Sequence, residues 1–186
     1  MIDSALKSDA DKLMPLLLSA IGSIAHTLSG TSEDSETWDV LLGYIGQERN
    51  RISYGNIIVD RRDGGIAGML ICYPGDEAIE LDRPIRERLE RNYGAEAAGA
   101  LVPECKPGDF YLDAVAVDER YRGQGIAKAL IAAFEERGKA GGFRRLSLIV
   151  EQYNEGAYAL YRKLGFVDDG LWIVSGGTYI RMIKEL

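Results

Sequence analysis

Residues 110–127 read FYLDAVAVDERYRGQGIA, an apolar segment followed by a turn with two glycines and by the start of a helical pattern. The first eight residues are apolar except for Asp113, which is typical of a central strand covered on both faces. Beyond the turn, Ile126, Leu130 and Phe134 recur at the spacing of one helix face. The run therefore predicts a buried strand, a tight turn and an amphipathic helix in direct succession.

The turn between this strand and helix has the composition of an anion-binding site. Gly123 and Gly125 carry no side chain, so a ligand can approach the backbone closely. The first N–H groups of a helix have no acceptor inside it and lie at the positive end of its dipole, an arrangement that favours a diphosphate. Arg120, Arg122 and Lys128 add positive charge. A purely structural turn with two glycines is the alternative interpretation.

Two common nucleotide-binding loops are excluded by spacing. A dinucleotide fingerprint requires a third glycine where the sequence has Lys128, and no GxxxxGK[ST] motif for a nucleoside triphosphate is present. A generic nucleotide-binding domain is therefore disfavoured.

The patterns around this unit predict a mixed sheet. Leu146–Val150 reads as a second buried strand, and a strand–helix–strand order requires a parallel pair joined by a right-handed crossover. Antiparallel strands are expected at Ile2 to Leu6, Asn56 to Asp60, Ile66 to Tyr73, Phe166 to Ile173 and Thr178 to Ile183. Further helices are expected from Ser8 to Leu28, from Trp38 to Arg49, from Asp82-Arg83-Pro84 onwards and from Asn154 to Leu164.

Length and composition are those of an ordinary globular protein. The 186 residues are 46% hydrophobic and 27% charged, which suits a single domain over residues 1–186. Residues 76–107, acidic at first and then rich in arginine, are interpreted as an inserted helix and loop segment.

Charge and apolar patterning disfavour several classes of function. A net charge of −7 argues against a nucleic-acid-binding surface. The longest apolar stretch, Leu13 to Ala25, is interrupted and shorter than the roughly 20 residues of a membrane span, and the acidic residues before it are unlike a signal peptide. We therefore expect no nucleic-acid partner and no membrane association.

The residues needed for metal or triad chemistry are scarce. His26 is the single histidine, no HExxH pattern occurs, and we expect no metal and a structural or solvent-exposed role for this imidazole. Cys72 and Cys105 match no zinc or CxxC spacing and are interpreted as reduced thiols of a cytoplasmic protein.

Two motifs together resemble the GNAT superfamily of acyl-CoA-dependent N-acetyltransferases. Arg120-Tyr-Arg-Gly-Gln-Gly125 is similar to the family's Q/R-x-x-G-x-G/A signature. Asn154-Glu-Gly-Ala-Tyr-Ala-Leu-Tyr-Arg-Lys-Leu-Gly-Phe166 is similar to its N-x-x-A-x-x-L-Y-x-x-x-G-F stretch. The resemblance implies an α+β fold of α/β/α type: a mixed, mostly antiparallel sheet of six to seven strands, one splayed parallel pair, and helices on both faces.

The resemblance also implies acetyl-CoA as co-substrate and a set of residues that hold it. Its pantetheine arm would bond to the backbone of the central strand at Val115, Ala116 and Val117. Its diphosphate would lie over the glycine turn, that is, over Arg122, Gly123, Gln124, Gly125, Ile126 and Ala127. Asn154 has two compatible interpretations, as a helix cap and as a contact to the coenzyme arm.

Tyr161 occupies the position of the family's tyrosine, which implies that it is the general acid. A phenol with a reference pKa of about 10 stays protonated at neutral pH and can neutralise the sulfur of the departing coenzyme. Packing on the sheet is the alternative, because Ala157, Leu160, Tyr161 and Leu164 follow the spacing of a helix core face.

A base is also needed, because an alkylammonium group with a pKa of about 10 is mostly protonated at pH 7. Asp113 is the one carboxylate in the central strand, and strand alternation would turn it to the same face as Val115. A buried carboxylate serves either in a structural hydrogen bond or as a base or water relay, and both interpretations are kept. Glu77, Glu80 and Glu151 are weaker candidates, and ordered water serves many family members.

The resulting hypothesis is an N-acetyltransferase that moves an acetyl group to a primary amine by direct attack. The acceptor is a small-molecule amine, an amino acid, or a peptide or protein amine, and an acidic cluster at Asp76, Glu77, Glu80 and Asp82 is either an attraction for it or a solvated loop. Trp38, Tyr44 and Tyr73 either line an acceptor pocket or pack in the core. A non-catalytic acyl-CoA-binding sensor or interaction module of the same fold is the alternative function, and a homodimer is compatible with exposed edge strands.

Overall fold

A seven-stranded mixed sheet forms the centre of the structure, a computed structural model that describes residues 1–174 and 176–186. The strands are β1 (Ile2–Ser4), β2 (Ile57–Arg62), β3 (Gly65–Pro74), β4 (Phe110–Val117), β5 (Arg145–Glu151), β6 (Val167–Val174) and β7 (Gly177–Glu185). Their order is β1-β2-β3-β4-β5-β7-β6, and neighbours are antiparallel except for the parallel pair β4 and β5. The predicted mixed, mostly antiparallel sheet is confirmed.

Helices cover both faces of this sheet, as predicted. They are α1 (Ala10–Ile21), α2 (Ile24–Ser29), α3 (Asp34–Ile45), α4 (Ala78–Tyr93), α5 (Ala95–Gly99), α6 (Ile126–Ala140) and α7 (Glu155–Lys163). The first five pack into one hydrophobic core with one face of the sheet, whereas α6 and α7 pack into a second core on the other face. Within the described residues, no helix is long and apolar enough to cross a membrane.

Two helix boundaries differ from those predicted from the sequence, one at a glycine and the other at a pair of acidic residues. The single helix expected through Leu28 is divided into α1 and α2 at Gly22, whose φ of +51° is a conformation that residues with a side chain rarely adopt. The helix expected from Trp38 begins at Asp34 instead. Asp34 and Glu36 occupy its first turn, where negative charge complements the helix dipole.

The helix of segment 76–107 also begins earlier than expected. The sequence predicts Pro84 in the first turn of this helix, but α4 begins at Ala78 and runs through the proline. Ala78 and Leu81 are both buried against the sheet, so tertiary packing extends the helix upstream of the residues that favour a start.

A β-bulge at Asp113 changes which way the side chains of β4 point. The register against β3 shifts at this residue, so that Leu112 packs into the core beside α6 whereas Ala114 packs into the core beside α1. Val115 accordingly faces the α6 side, and Asp113 hydrogen-bonds Tyr73 of the opposite core. The expectation that Asp113 and Val115 share a face is wrong, because the bulge interrupts the alternation.

The parallel pair is splayed, as predicted. β4 pairs with β5 only from Phe110 to Leu112, while its other edge stays paired with β3 as far as Val117. Beyond Leu112, no described residue forms a ladder with the edge of β4 that faces β5. The sheet therefore presents an open length of strand backbone next to the bulge.

Candidate active site

The glycine turn after β4 forms a backbone concavity at the start of α6. Gly123 and Gly125 have φ values of +75° and +78°, a left-handed conformation that glycine adopts without steric cost. A β-carbon placed on either residue would meet no atom within 4 Å, so the space above the turn is open. Because α6 begins at Ile126, its first N–H groups lie at this turn and have no acceptor inside the helix.

A cavity of about 370 Å³ lies over this turn. Its lining residues are Val117, Tyr121, Arg122, Gly123, Gly125, Ile126, Ala127, Lys128 and Leu160. Ala116 and Gln124 are outside this lining: Ala116 packs into the core beside α1, and the Gln124 side chain accepts a hydrogen bond from Arg62 at 2.9 Å. The structure thus brings together most of the residues predicted around the turn.

The basic side chains of the turn are largely paired with acids. Arg120 contacts Asp118 at 2.7 Å, and this pairing lowers the pKa of the Asp118 carboxyl to about 2. Arg122 contacts Glu119 at 3.2 Å. The positive character of the turn therefore depends on the backbone N–H groups and on Lys128 more than on the two arginines.

Residues at the tip of the β2–β3 hairpin form hydrogen bonds with the glycine turn after β4. Arg62 donates to Gln124, and the Tyr121 hydroxyl donates to Asp63 at 3.1 Å. Asp63 itself has a φ of +50° in the hairpin turn. Two contacts from a distant hairpin thus hold a loop that has little side-chain packing of its own.

A second cavity, of about 430 Å³, opens where β4 and β5 separate. Four of the predicted site residues line it: Asp113, Val115, Asn154 and Tyr161. The two cavities adjoin at α7, since Leu160 lines the first and Tyr161 lines the second. The predicted diphosphate turn and the predicted general acid therefore belong to two neighbouring cavities, which are lined by successive residues of α7 and by nearby residues of β4.

Tyr161 is a buried side chain that also reaches the second cavity. It packs edge-on against Phe166, and burial raises the pKa of its phenol to about 12. No described residue hydrogen-bonds its hydroxyl group. The phenol is therefore protonated near neutral pH and keeps its proton available for donation into the cavity.

Asn154 precedes α7 and caps it. Its side-chain oxygen accepts a hydrogen bond from the Ala157 N–H at 3.1 Å. Because Asn154 also lines the second cavity, the capping bond fixes the orientation of its side-chain amide there.

Asp113 is bound by a guanidinium and a phenol at the wall of the second cavity. Arg51 donates from Nε to Oδ2 at 3.0 Å and from Nη2 to Oδ1 at 3.1 Å, and the Tyr73 hydroxyl donates to Oδ2 at 2.8 Å. The Arg51 and Asp113 side chains are 4% and 7% exposed, so this is a buried ion pair. The geometry corresponds to the structural hydrogen-bond interpretation of Asp113.

Two further carboxylates surround the same guanidinium. Glu104 accepts from Arg51 Nη2 at 2.9 Å and from the Tyr111 hydroxyl at 3.1 Å, and Asp82 lies 3.6 Å from Arg51 Nη1. Burial raises the pKa of Asp82 to about 6 and raises the pKa of Glu104 above its usual range, although Arg51 opposes both shifts. The buried guanidinium of Arg51 thus forms ion pairs with three carboxyl groups.

Arg51 and Glu104 are site residues that the sequence did not reveal. Both line the second cavity. Arg51 lies in a polar loop with nothing to distinguish it from exposed arginines. Glu104 gave one weak signal, because it is the acidic residue in the otherwise apolar run Leu101-Val-Pro-Glu-Cys105.

The other residues considered as a base or for the acceptor pocket lie outside the two cavities, except for Glu151. Glu151 lines the second cavity, whereas Glu80 pairs with Arg83 on the exposed face of α4. The acidic cluster is dispersed, since Asp82 is buried beside Arg51 and Asp76 accepts from the Gly108 N–H. Tyr44 and Tyr73 are buried in the core beside α1, and the partly buried Trp38 packs against the same core.

The residues considered for metal or thiol chemistry do not line either cavity. Among residues 1–174 and 176–186, no group of three or more His, Cys, Asp and Glu side chains could hold a metal ion. Cys72 and Cys105 are unpaired and buried, and burial raises the pKa of each thiol to about 12. His26 contacts the Thr31 carbonyl at 3.0 Å and the Thr37 hydroxyl at 3.2 Å, between α2 and α3.

Sequence comparison connects this geometry to known proteins. The model of the Acetyltransferase (GNAT) family matches residues 26–166. An uncharacterized N-acetyltransferase of Bacillus subtilis, YycN, is 36% identical over 64 residues, which cover 34% of this chain and 41% of that protein. Spermine/spermidine N(1)-acetyltransferase of the same organism is 27% identical over 121 residues, 62% of this chain and 78% of that protein.

Solved structures share the fold over its full length. A crystal structure described as an acetyltransferase superposes with a TM-score of 0.81 at 33% identity and covers 100% of this chain and 98% of its own. An N-acetyltransferase from Staphylococcus aureus Mu50 superposes with a TM-score of 0.82 at 22% identity, covering 99% of this chain and 100% of its own. At 22% identity, the similarity to the Staphylococcus aureus protein shows a shared fold only.

Proposed function

The chain belongs to the GNAT family of acetyltransferases, and from that membership we propose that it transfers an acetyl group from acetyl-CoA to a primary amine by direct attack. The observation that carries the proposal is that the two cavities lie next to each other along β4 and α7. The open edge of β4 and the turn at Gly123 and Gly125 adjoin a space that contains Tyr161. A thioester donor and an amine acceptor can therefore meet beside a protonated phenol.

The residues of the first cavity fit the diphosphate of coenzyme A. Gly123 and Gly125 leave room above the turn, and the N–H groups at the start of α6 supply donors for phosphate oxygens. In this proposal Arg122, Gln124, Ile126 and Ala127 complete the turn that surrounds the diphosphate. The backbone of Val115, Ala116 and Val117 would bond to the pantetheine arm, and the amide of Asn154 would contact it.

Tyr161 is proposed as the general acid. As the nitrogen of the acceptor attacks the thioester carbonyl, the carbon–sulfur bond breaks and charge develops on sulfur. A hydroxyl group that keeps its proton at neutral pH can neutralise that charge. Asp113 is proposed to fix the wall of the acceptor site through its pair with Arg51 and not to exchange protons with the acceptor.

The lining of the second cavity supports a cationic acceptor. Glu104, Asp113 and Glu151 contribute carboxylates there, against the single guanidinium of Arg51. Among the relatives, one is named a spermine/spermidine acetyltransferase and another, MAK3 of Arabidopsis thaliana, an N-alpha-acetyltransferase. We therefore place small amines, amino acids and peptide or protein amines in the acceptor class.

Two further proposals concern the setting of the enzyme. Free and buried cysteines at positions 72 and 105 support a reducing compartment such as the cytoplasm. Assembly as a homodimer stays a prediction.

A thiol-release assay tests the proposed function. Purified protein is mixed with acetyl-CoA and, separately, with spermidine, agmatine, free amino acids and short peptides with a free N-terminus, and each product is identified by its mass. We expect at least one amine to accelerate release of the coenzyme thiol and to gain one acetyl group. If acetyl-CoA binds in calorimetry but no acceptor accelerates release, the chain is the sensor or interaction module.

A further inference from the structure

Three carboxylates line the second cavity, and two of them, Glu104 and Asp113, belong to the Arg51 cluster. Glu104 and Asp113 differ in the number of hydrogen bonds that their carboxylate oxygens accept. Asp113 accepts three hydrogen bonds, two on Oδ2 and one on Oδ1. Glu104 accepts one on each oxygen. Since a carboxylate offers about four lone-pair positions, Glu104 retains more capacity for a donor from the cavity.

The environment of Glu104 also suits proton transfer. Burial raises the pKa of its carboxyl, the neighbouring Asp113 charge acts in the same direction, and Arg51 opposes them only in part. A carboxylate with a raised pKa takes a proton from an ammonium group more readily than an ordinary one does. The Tyr111 phenol, whose pKa is well above its usual range because it is buried, remains a hydrogen-bond donor to Glu104 throughout the neutral range.

The loop that carries Glu104 is held by hydrogen bonds to the residues that precede it. Before it, Arg86 of α4 donates to the carbonyl groups of Ala98 and Leu101 at 2.9 and 2.6 Å. Next to it, the Trp172 indole of β6 donates to the Pro103 carbonyl at 3.2 Å. A segment without regular secondary structure is thus held in place, which a residue that must meet a substrate requires.

We propose that Glu104 contacts the ammonium group of the acceptor and removes its proton, an inference that rests on the proposed acetyl transfer. The proton moves from the ammonium nitrogen to a carboxylate oxygen of Glu104, and the freed lone pair attacks the thioester carbonyl. When the carbon–sulfur bond breaks, Tyr161 protonates the sulfur and regains a proton from the attacking nitrogen through solvent. Glu104 releases its proton to solvent, so one proton appears for each acetyl group transferred.

Arg51 acts in this scheme as a positioning residue. It contacts Glu104 and Asp113 with the same Nη2 atom, at 2.9 and 3.1 Å, and so sets the distance between the proton acceptor and the bulge of β4. The titratable and charged groups around Glu104 come from six segments and are Arg51, Tyr73, Asp82, Cys105, Tyr111, Asp113 and Tyr179.

The test compares wild type with Glu104→Gln over a range of pH. The acceptor is whichever of spermidine, agmatine and an N-terminal peptide wild type acetylates fastest. We expect kcat/KM of Glu104→Gln to fall about 100-fold at pH 7, a typical loss for a general base. The deficit should shrink as pH approaches the pKa of the acceptor amine, near 10 for an alkylamine and about 8 for a peptide N-terminus, because an amine already free needs no base. Glu96→Gln, on the exposed surface of α5, removes the same charge and should match wild type.

The possible results separate the two proposals. If wild type is active and the deficit of Glu104→Gln is constant across pH, or smaller than threefold at pH 7, Glu104 is structural and the inference fails alone. A pH-dependent deficit in Glu151→Gln in place of Glu104→Gln also overturns it. If wild type acetylates none of the amines, the proposed function and the inference fail together.

A second variant covers the case in which Glu104→Gln does not fold. Glu104→Asp keeps the charge for Arg51 but withdraws the carboxylate from the cavity. We expect it to lose at least tenfold in kcat/KM at pH 7 and to approach wild type as pH rises to the pKa of the acceptor amine. Wild-type activity of Glu104→Asp at every pH would contradict the proposal.

Discussion

The guanidinium of Arg51 holds both carboxylate oxygens of Asp113, from Nε to Oδ2 at 3.0 Å and from Nη2 to Oδ1 at 3.1 Å. This pair ties the loop that follows α3 to the bulge of β4, the point at which β4 separates from β5. Protonation of Asp113 would weaken the pair that positions it. We therefore expect Asp113 to maintain the shape of the second cavity, and its neighbour Glu104 to exchange the proton.

Replacing Arg51 with glutamine should destabilise the protein by about 3–5 kcal/mol, the usual effect of breaking a buried ion pair, because three buried carboxyl groups lose their cation. Urea denaturation at pH 7 measures the change. Arg83→Gln, which breaks the exposed pair with Glu80, should change the free energy of unfolding by less than about 1 kcal/mol. Adding Asp113→Asn to Arg51→Gln should restore part of the loss, and a further loss would contradict the assignment of the pair.

Replacing Asp82 with asparagine should stabilise the protein above pH 6. The pKa of this buried carboxyl is raised from 3.8 to about 6, so its contribution to stability is fully present below about pH 4 and is lost as pH rises through 6. The asparagine variant does not lose that contribution, and we expect an advantage of about 3 kcal/mol at pH 8 that disappears at pH 4.

Thermal and urea unfolding at pH 4, 6 and 8 measure this trend. Asp39→Asn, on the exposed side of α3, provides the control and should follow wild type at each pH. An Asp82→Asn variant that is less stable than wild type by the same amount at all three pH values would show that the carboxylate is needed for its contact with Arg51.

Replacing Gly125 with valine should weaken binding of coenzyme A at least tenfold, because a side chain would occupy the open space above the turn and the φ of +78° would be strained. Gly142, just beyond the other end of α6, has a φ of +77° and equally open surroundings. Gly142→Val should therefore lose comparable stability but keep its affinity for the coenzyme. Calorimetry on both variants separates strain from ligand contact, and equal affinities would remove the diphosphate from this turn.

Replacing Tyr161 with phenylalanine should lower kcat much more than the affinity for acetyl-CoA, because the change deletes the proton donor and little else. Tyr158→Phe is the matched control: it removes a hydroxyl from the same helix, where that group bonds Asp168 on the outside of the protein. Steady-state kinetics and calorimetry measure the two effects. Equal turnover of Tyr161→Phe and wild type across pH would reduce Tyr161 to a packing role.

The sequence was sufficient for the sheet, because each strand carries its own apolar pattern and the unit from Phe110 to Val150 requires a parallel crossover. The sequence predicts the helix boundaries less well, because tertiary packing extends α4 upstream of Pro84. The glycine turn and the tyrosine of α7 are local motifs that the sequence displays, and the structure places them at the two cavities. The Arg51 cluster was not, because its partners are separated by 53 and 62 residues and meet only after folding.

The bulge at Asp113 shows why strand alternation fails at this site. Periodicity assigns each residue of β4 to a face by counting, and one extra residue reverses every assignment on one side of it. Nothing in the run Leu112 to Ala114 distinguishes a bulged aspartate from an aspartate in a regular strand. The orientation of Asp113 therefore depends on the pairing with β3, which the sequence does not display.

Binding of the proposed coenzyme at the open edge of β4 would make the lifetime of this protein depend on the supply of that coenzyme. An extended ligand bonded to that edge would complete the ladder, protect its amides from exchange with deuterium, and stabilise the chain according to its free concentration. Cells depleted of acetyl-CoA would then contain more of the locally opened form, the one that proteases cleave, and should degrade the enzyme faster when its donor is scarce.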